Sequence, residues 1–361
     1  MAAIRYKSMP LWAIYAIVGF IVLFFIWYIH SSRTDAPVQT QAEYKPTKRN
    51  FNVKRIVQQK DPVFDYRKEV EAMNAEKTAM DDVRLVDLIR NYFIQVPPDD
   101  DTYNLEEPTN LRFSRGQTSY VDQRLHAKEH LFYVEVRAFS GEAESTTLFF
   151  EKTRYWSGLL VEPDPVKFDI LKSKHRKAYL LNACINDKAY PTKMTLSRPD
   201  GSDISKPGTE TYSAQCFPLY SVLLALGQNH VSLLSLNLYE FGSENLSDQD
   251  MLMSLPFDKI NVTFIGIRNM YTNKVRQGPL EWAMEQKGFE SQGRLQTDDQ
   301  WISDFIYLNK DAKLPQTPFW TKTNIIRAVI LFLIIYGILN VLAYRFLFPR
   351  LHLYKVAYGL V

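Results

Sequence analysis

The chain has 361 residues, of which 43 are Lys or Arg and 40 are Asp or Glu, so its formal net charge is only +3. This length suits one large domain or two smaller ones. A charge so near zero, without a basic stripe interleaved with aromatic residues, argues against nucleic acid as a partner.

The first long apolar segment covers residues 11–29 and contains no charged side chain. A helix of that length, at about 1.5 Å per residue, spans ~28 Å, close to the thickness of the hydrocarbon core of a bilayer. Arg5 and Lys7 precede it, as in a secretory signal peptide, but the run is too long for one and no small-residue cleavage site follows. The pattern predicts a retained transmembrane signal anchor after a short tail at residues 1–10.

A second apolar segment covers residues 325–344. Arg327 and Arg345 can extend their charges to the membrane interfaces, and the number of apolar positions favours a transmembrane helix over the alternative of a buried core helix. A short tail, residues 345–361, follows it. Two spans would put both termini on one side of the membrane, but flanking Lys and Arg are similar on both sides and do not assign the orientation.

Two kinds of feature would suit a lumenal central region. Asn245 and Asn261 each begin a glycosylation sequon, although two such matches are also expected by chance. Cys184 and Cys216 are the only cysteines, and they permit one disulfide without requiring it.

Residues 31–80 are interpreted as a stem, because the segment begins as a polar run with Pro37 and Pro46 and no periodic apolar pattern. From Asp81 onwards, apolar residues follow helical spacing. That helix should end before Pro97, because proline lacks an N–H donor and disfavours helix in the residue that precedes it.

The segment 131–165 has the pattern of a strand, a turn, a helix and a strand, which is the opening unit of a nucleotide-binding α/β fold. Further elements alternate after it, with helices predicted at 165–174, 218–226 and 280–287 and strands at 178–184, 193–197, 231–237, 260–267 and 304–308. Strands that alternate with helices indicate a mostly parallel sheet covered on both faces. The pattern predicts one α/β domain over residues 81–310.

The opening unit has an acidic residue at the end of each strand, Glu135 and Glu162. In this fold class, ligands bind beyond the carboxyl ends of the strands, and a glycine-rich first turn lets the backbone approach the cofactor. Here the turn has Arg137 and Phe139, and only Gly141 remains. The sequence therefore predicts the scaffold of a nucleotide-binding enzyme with a damaged site.

A resemblance to a known family is carried by several spaced motifs: Ser114-Arg115-Gly116-Gln117, Val134-Glu135, Gly141-Glu142, Ser145 to Lys152, Trp156 to Pro165, Arg176-Lys177-Ala178-Tyr179 and Cys216-Phe217-Pro218-Leu219-Tyr220-Ser221. Over residues 81–310 the chain resembles the methyltransferase FkbM-like domain and, more closely, its Star-like branch. The resemblance implies a Rossmann-like methyltransferase fold, flanked here by two transmembrane helices. Star-like proteins are associated with export of membrane-bound growth-factor precursors from endoplasmic reticulum to Golgi, and so with EGF receptor signalling. The second span departs from the single-span arrangement of that branch.

The resemblance also implies S-adenosylmethionine as the family cofactor, with Glu162 matching the acid that accepts both ribose hydroxyls. Methyl transfer needs a clamped cofactor and no excess positive charge beside its sulfonium, so Arg137 is unfavourable in the turn. The family's acidic run after the strand at 231–237 is reduced to Asn237 and Glu240, and Arg268 stands where another acid is usual. These departures predict no catalytic residue and a vestigial cofactor site composed of Glu135, Gly141, Glu162, Asp164, Asn237 and Glu240.

Other polar groups have plainer interpretations. His126 and His130 have the spacing of two ligands on one helical face, but no third ligand is suitably placed, so no metal site is predicted. The basic cluster is interpreted as a solvated helix end, like most charge runs; its members are Lys172, Lys174, His175, Arg176 and Lys177.

The favoured hypothesis is a membrane-anchored pseudoenzyme of the endoplasmic reticulum and Golgi, with endosomes as a further compartment. It would escort membrane-bound or secreted cargo proteins, and its partners would be that cargo and the bilayer, with no cofactor. The alternative is an active S-adenosylmethionine-dependent O-methyltransferase, in which Glu162 binds the ribose and Glu240 acts as the base.

Overall fold

The computed structural model describes residues 58–99, 102–110, 116–143, 145–200, 203–238, 252–269, 277–295, 303–315, 326–327, 329–334 and 336–337. The first apolar segment, both terminal tails, Glu240 and Asn245 lie outside these residues. The interpretations given for them stay predictions.

Within the described residues the strands are β1 (Ile94–Gln95), β2 (Phe132–Val136), β3 (Ser157–Val161), β4 (Tyr179–Leu181), β5 (Cys184–Ile185), β6 (Thr192–Asp200), β7 (Asp203–Phe217), β8 (His230–Leu238), β9 (Asn261–Asn269), β10 (Phe289–Leu295) and β11 (Ser303–Asn309). The helices are α1 (Tyr66–Glu76), α2 (Val83–Leu88), α3 (Gln117–Arg124), α4 (Leu148–Thr153), α5 (Pro165–Ser173), α6 (Leu219–Leu226) and α7 (Gln277–Gln286). A π-helical turn, Ile89–Phe93, continues α2.

The central sheet has the strand order β1-β4-β3-β2-β8-β9-β11-β10. The five strands from β4 to β9 in this order are parallel, whereas β11 is antiparallel to both β9 and β10, and β1 is antiparallel to β4. The last strand, β11, is inserted antiparallel beside β9, the fifth parallel strand. This is the arrangement of the Rossmann-like methyltransferase fold. The predicted class, an α/β fold with a mostly parallel sheet, is confirmed.

The order of the parallel strands also fixes where a ligand could bind. The chain builds β2, β3 and β4 outwards in one direction and then returns to place β8 against the other side of β2. The carboxyl ends of β2 and β8 therefore flank the point at which the strand order reverses. In open α/β sheets this is the position of the ligand-binding crevice.

Alternate side chains of the sheet pack into two apolar cores. Val134 and Leu234 belong to one core, which α2 and α6 complete. Tyr133 and Leu233 belong to the other, which includes Leu171 of α5 and residues of α3. Glu135 follows Tyr133 by two positions and therefore projects to the same face of the sheet.

A smaller sheet of three strands, in the order β5-β7-β6, is inserted between β4 and α6. β6 and β7 form an antiparallel hairpin, and β5 pairs with the last residues of β7. The sequence predicted a strand at 193–197 as part of the parallel sheet and did not predict β7. Cys184 and Cys216 face each other in register and form a disulfide at the base of the hairpin.

α1 packs against the domain although it lies within the predicted stem at residues 31–80. Val70 and Met73 are buried in the apolar core. The side-chain amides of Asn74 and Gln215 exchange two hydrogen bonds, each 2.9 Å long. The folded domain therefore begins before Asp81, the predicted boundary. Because α1 buries only two side chains, its sequence lacks the wide apolar stripe that identifies a packed helix.

Among the described residues, no helix has both the length and the apolar character needed to cross a membrane. The described part of the second apolar segment is helical at residues 326–327, 329–334 and 336–337. Six large apolar side chains in this described part are between 40% and 59% exposed: Ile326, Ile330, Leu331, Phe332, Leu333 and Ile334. Both transmembrane helices stay predictions.

Candidate functional site

The candidate site lies at the carboxyl ends of β2, β3 and β8, where the strand order reverses. Glu162 directly follows β3, and its side chain is only 2% exposed. Its Oε2 accepts the N–H of Phe139 at 2.8 Å, and its Oε1 accepts the N–H of Asp164 at 3.0 Å. Both carboxylate oxygens thus bind the protein's own backbone, whereas a ribose-binding acid must offer them to a ligand.

Burial is the main influence on the ionisation of Glu162. It raises the pKa of Glu162 from 4.5 to about 7, although the two N–H donors and the charges of Lys167 and Arg137 act in the opposite direction. Buried carboxyl groups behave in this way because low-dielectric surroundings disfavour the charged form.

The turn that follows β2 has an unusual backbone. Arg137 and Phe139 adopt φ values of 57° and 50°, in the left-handed region that favours glycine. Between them, Ala138 donates its N–H to the carbonyl of Val161 at 3.0 Å. Asn237, near the end of β8, donates from Nδ2 to the carbonyl of Arg137 at 2.9 Å. The turn where a cofactor would approach is thus strained and is held in place by β3 and β8.

Glu135 is fully buried and fully engaged within the protein. Its Oε2 accepts hydrogen bonds from the hydroxyls of Ser145 and Thr147 at 2.8 and 2.5 Å, and its Oε1 accepts the N–H of Thr146 at 3.2 Å. These three residues lead into α4. Glu135 therefore organises the start of that helix and does not face the crevice.

Gly141 is required by internal packing. Its φ is +71°, and a Cβ at this position would lie 2.2 Å from Cδ1 of Leu171 in α5. Its carbonyl accepts a hydrogen bond from Nη1 of Arg176. The remaining glycine of the turn thus accommodates α5, and this explains its presence without a cofactor.

Asp164 has a structural role as the N-cap of α5. Its Oδ1 accepts the N–H of Val166 at 2.9 Å, and Pro165 occupies the first helical position. The side chain is 2% exposed. Of the six residues predicted for the vestigial site, five are described. Glu162, Asp164 and Asn237 lie around the turn that follows β2, whereas Glu135 binds the start of α4 and Gly141 packs against α5.

A buried ionic network centred on Arg176 supports this region, and the sequence analysis did not identify it. Nε of Arg176 lies 3.1 Å from Oε2 of Glu151, and Nη2 lies 3.2 Å from the hydroxyl of Thr147. The hydroxyl of Tyr133 donates to the same Glu151 oxygen. The network therefore joins β2, α4 and the segment that precedes β4.

The interpretation of the basic cluster as a solvated helix end is wrong for Lys174, Arg176 and Lys177, which are at most 5% exposed. Nζ of Lys174 lies 2.6 Å from Glu106 and 2.8 Å from Glu142. Charge runs are usually solvated, but Lys174 and Arg176 have acidic partners far away in sequence, and Nζ of Lys177 donates to the carbonyl of Thr102 at 2.8 Å. Glu142 and Glu151 belong to the motifs quoted above. These acidic residues were the feature of the sequence that could have indicated buried ion pairs.

The charge of Arg268 is also neutralised by an acidic partner. Its Nε lies 3.1 Å from Oδ1 of Asp304 on the adjacent strand, and both side chains are almost fully buried. The positive charge of Arg268 is therefore neutralised by Asp304. The sign of this residue alone did not reveal that partner.

Gln117, at the start of α3, belongs to one of the motifs quoted above, and the sequence did not indicate a role for it. It is fully buried, and a Cβ at Gly266 would lie 2.4 Å from its Oε1. Neither its Oε1 nor its Nε2 has a hydrogen-bond partner within the described residues, and the same holds for Oδ1 of Asn237.

The histidines do not form a metal site in the described part of the chain, where no group of three His, Cys, Asp or Glu residues could hold a metal ion. The ring of His130 stacks on Tyr155 at a centroid distance of 5.8 Å.

The described residues do not fit S-adenosylmethionine. The acid that should accept the ribose hydroxyls is buried and bound to Phe139, and the turn that should admit the cofactor has a guanidinium and an aromatic ring at two left-handed positions. A ligand could reach Glu162 only if the turn moved. No step of methyl transfer is therefore assigned to these residues.

No protein-family model and no curated protein matches the sequence, so the FkbM-like and Star-like resemblance is not confirmed. Solved methyltransferase structures resemble the chain at low similarity. A METTL16 methyltransferase domain has 8% identity and a TM-score of 0.36, covering 54% of this chain and 66% of that chain. A precorrin-6y C5,15-methyltransferase from Geobacter metallireducens has 8% identity and a TM-score of 0.31, covering 59% and 97%.

A human methyltransferase 10 domain containing protein has 9% identity and a TM-score of 0.35, covering 68% of this chain and 99% of that chain. Values this low carry no weight for function. The fold assignment rests on the strand order of the sheet.

Proposed function

We propose that this chain is a membrane-anchored, non-catalytic methyltransferase-related protein that escorts membrane-bound or secreted cargo from endoplasmic reticulum to Golgi. The observation that carries the non-catalytic part is the state of Glu162. This acid is 2% exposed and binds the N–H of Phe139 through one oxygen and that of Asp164 through the other. Both oxygens are engaged and closed off from solvent, so ribose hydroxyls could reach Glu162 only if the turn moved.

The residues around Glu162 support the same proposal. Arg137 places a guanidinium in the turn, where it would oppose a sulfonium. Asn237 has no carboxylate to act as a base, and its Nδ2 donates to the backbone of the turn. Glu135, Gly141 and Asp164 each have a structural role in this chain.

Lumenal residence is supported by two features of the described residues. The disulfide between Cys184 and Cys216 is of a kind that persists in oxidising compartments such as the endoplasmic reticulum lumen. Asn261, the acceptor of one sequon, is exposed at the start of β9. Both features suit a domain held between two membrane anchors on the lumenal side.

The cargo role rests on the Star-like resemblance. A domain anchored at both ends stays close to the bilayer, which raises its effective concentration towards membrane-bound clients. The class of client is therefore a transmembrane precursor with a lumenal domain.

Calorimetry of the purified full-length chain with S-adenosylmethionine tests the non-catalytic part. We expect no saturable heat up to millimolar cofactor, and Glu162→Ala should behave in the same way. Saturable binding near the micromolar range typical of enzyme substrates, abolished by Glu162→Ala, would favour the active methyltransferase.

The escort role is tested in cells that lack the chain. We expect a transmembrane growth-factor precursor to leave the endoplasmic reticulum more slowly and to co-precipitate with the reintroduced protein. The Glu162→Gln variant should restore export, because the proposal assigns cargo binding to the domain surface. Unchanged export in the deficient cells would remove the escort role and leave the fold assignment intact.

A further inference from the structure

One side of α5 exposes apolar side chains that the fold does not require. Phe168 and Leu171 belong to the core and are at most 5% exposed, whereas Val166 and Ile170 are 54% and 45% exposed. A surface helix normally has polar residues opposite its buried stripe. As far as the structure describes residues 58–315, no other two exposed large apolar side chains lie one turn apart on a helix. The pair is therefore a candidate contact for another protein.

The turn that follows β2 places an aromatic ring beside this pair. Phe139 is half-buried, and the centroid of its ring lies 4.7 Å from Nζ of Lys167, the residue next to Val166. Its φ of 50° is unfavourable for a residue with a side chain, and such conformations persist only where the surroundings support them. Oε2 of Glu162 gives that support by accepting the N–H of Phe139 at 2.8 Å. The acid of the crevice thus helps to hold an aromatic side chain next to α5.

The charged groups around these apolar side chains are mostly positive. Arg137 on the turn and Lys167 on α5 are half-buried, and Lys172 on the last turn of α5 is exposed. Asp169 is the only exposed carboxylate of α5. Three cations and one carboxylate favour a partner of negative charge and disfavour a basic one.

We propose that these side chains form the surface on which the chain binds its cargo, and that the bound segment of the cargo is apolar and acidic. We call this surface the α5 patch, and its residues are Arg137, Phe139, Val166, Lys167, Ile170 and Lys172. The inference rests on the escort role in the proposed function and deepens it, because it names the binding surface and the chemistry of the bound segment. Burial of the apolar groups would supply the affinity, and the cations would select the sign of the partner.

Site-specific photo-crosslinking in cells tests the α5 patch. The probe is the transmembrane growth-factor precursor of the export experiment, co-expressed with full-length chains that carry one photoreactive amino acid. We expect the precursor to crosslink from positions 166 and 170 and not from position 83, where Val83 of α2 is 67% exposed. No crosslink from positions 166 and 170, or equal yields from all three positions, would overturn the proposal.

Substitutions separate the apolar contribution from the charged one. Ile170→Asp should lower the amount of co-precipitated precursor by at least about tenfold, as expected for the loss of an interface hot spot. Lys167→Glu combined with Lys172→Glu should also lower it, because the reversed charges repel an acidic segment. Val83→Asp and Lys193→Glu are the matched controls, with exposures of 67% and 56%, and they should leave binding unchanged. Equal losses in the controls would contradict the assignment.

The same experiments separate this inference from the proposed function. Export that depends on the chain, together with unchanged precursor binding by Ile170→Asp, would refute the α5 patch alone. Export that does not depend on the chain would refute the escort role, and with it the client assigned to the patch. Thermal unfolding of each variant shows whether it is folded, and Ile170→Ser replaces Ile170→Asp if the aspartate variant is not.

Discussion

Arg176 and Glu151 form an ion pair that is closed to solvent, with 3.1 Å between Nε and Oε2 and side-chain exposures of 0% and 1%. Burial alone would lower the pKa of Arg176, but the negative charge of Glu151 outweighs this and raises it. The guanidinium therefore stays charged inside the domain, where it also binds the carbonyl of Gly141. The stability of the domain depends on both partners, because either charge alone would be buried without compensation.

Glu151→Gln should destabilise the domain strongly, because it leaves the charge of Arg176 buried and unpaired. We expect a loss of about 3–5 kcal/mol in the free energy of unfolding, measured by urea denaturation. Glu71→Gln is the matched control, since its carboxylate lies 3.7 Å from Lys193 and is 65% exposed. The control should change stability by less than about 0.5 kcal/mol. Equal effects of the two variants would contradict the importance of burial.

Gly141→Ala should destabilise the domain more than Gly227→Ala does. Both glycines have positive φ values, 71° and 66°, but a new Cβ would collide with Leu171 only at position 141. Thermal unfolding should show a loss of about 1–2 kcal/mol for Gly227→Ala, from backbone strain. For Gly141→Ala, the collision with Leu171 should add about 1–3 kcal/mol to this loss in the free energy of unfolding. Combining Gly141→Ala with Leu171→Ala should be less harmful than the sum of the single changes, and simple additivity would argue against the collision.

Replacing both cysteines with alanine should lower the free energy of unfolding by about 3–4 kcal/mol, the value expected for a disulfide across a loop of this size. Cys184 and Cys216 are separated by 32 positions. Denaturant unfolding with and without reductant measures the effect. Reductant should bring the wild type to the stability of the double variant and leave the variant unchanged. A wild type that does not respond to reductant would indicate free thiols in solution.

The pH dependence of stability should differ between the wild type and Glu162→Gln. The pKa of Glu162 is about 7 in the folded protein, against an ordinary value of 4.5. Between these values the folded state binds more protons, so the contribution of Glu162 to stability increases as the pH falls, by about 1.4 kcal/mol per unit. The difference in free energy of unfolding between the two proteins, measured from pH 8 to pH 5, isolates this contribution. A constant difference would contradict the raised pKa.

Asn261 should be glycosylated if the domain is lumenal. Its side chain is exposed at the start of β9, within the sequon completed by Thr263. Deglycosidase treatment of the cellular protein should shift its electrophoretic mobility. Asn261→Gln and Thr263→Ala should each reduce that shift, and removal of the second sequon at Asn245 should abolish the rest. Digestion of the domain by protease added outside intact microsomes would reverse the topology.

The sequence predicted the elements whose patterns are local. The helix predicted at 165–174 corresponds to α5, which Asp164 and Pro165 begin, and the strands predicted at 231–237 and 260–267 correspond to β8 and β9. Capping and apolar runs act over a few residues, so they are visible in the chain itself. β7 was missed because this long strand of an inserted hairpin contains a proline, Pro207, and lacks a continuous apolar run.

The site was predictable in position but not in its contacts. Glu135 and Glu162 do lie at the ends of adjacent parallel strands, as the alternating pattern predicted. That Glu162 binds the backbone of Phe139 depends on the left-handed shape of the turn, which residue types alone do not specify. The burial of Arg176 likewise depends on Glu151, a residue 25 positions away that only the folded chain brings near.

The register that places Tyr133 of β2 opposite Leu233 of β8 also has a kinetic consequence. These neighbours at the centre of the sheet are a hundred residues apart in the chain, so the central pairing cannot form until most of the domain has left the ribosome. Contacts between distant residues slow folding, because the entropy of closing the intervening loop is lost before the contact forms. Until then β2 and β3 expose apolar edges to other chains. Slow maturation, with prolonged association with chaperones, therefore follows from the order in which the strands are synthesised.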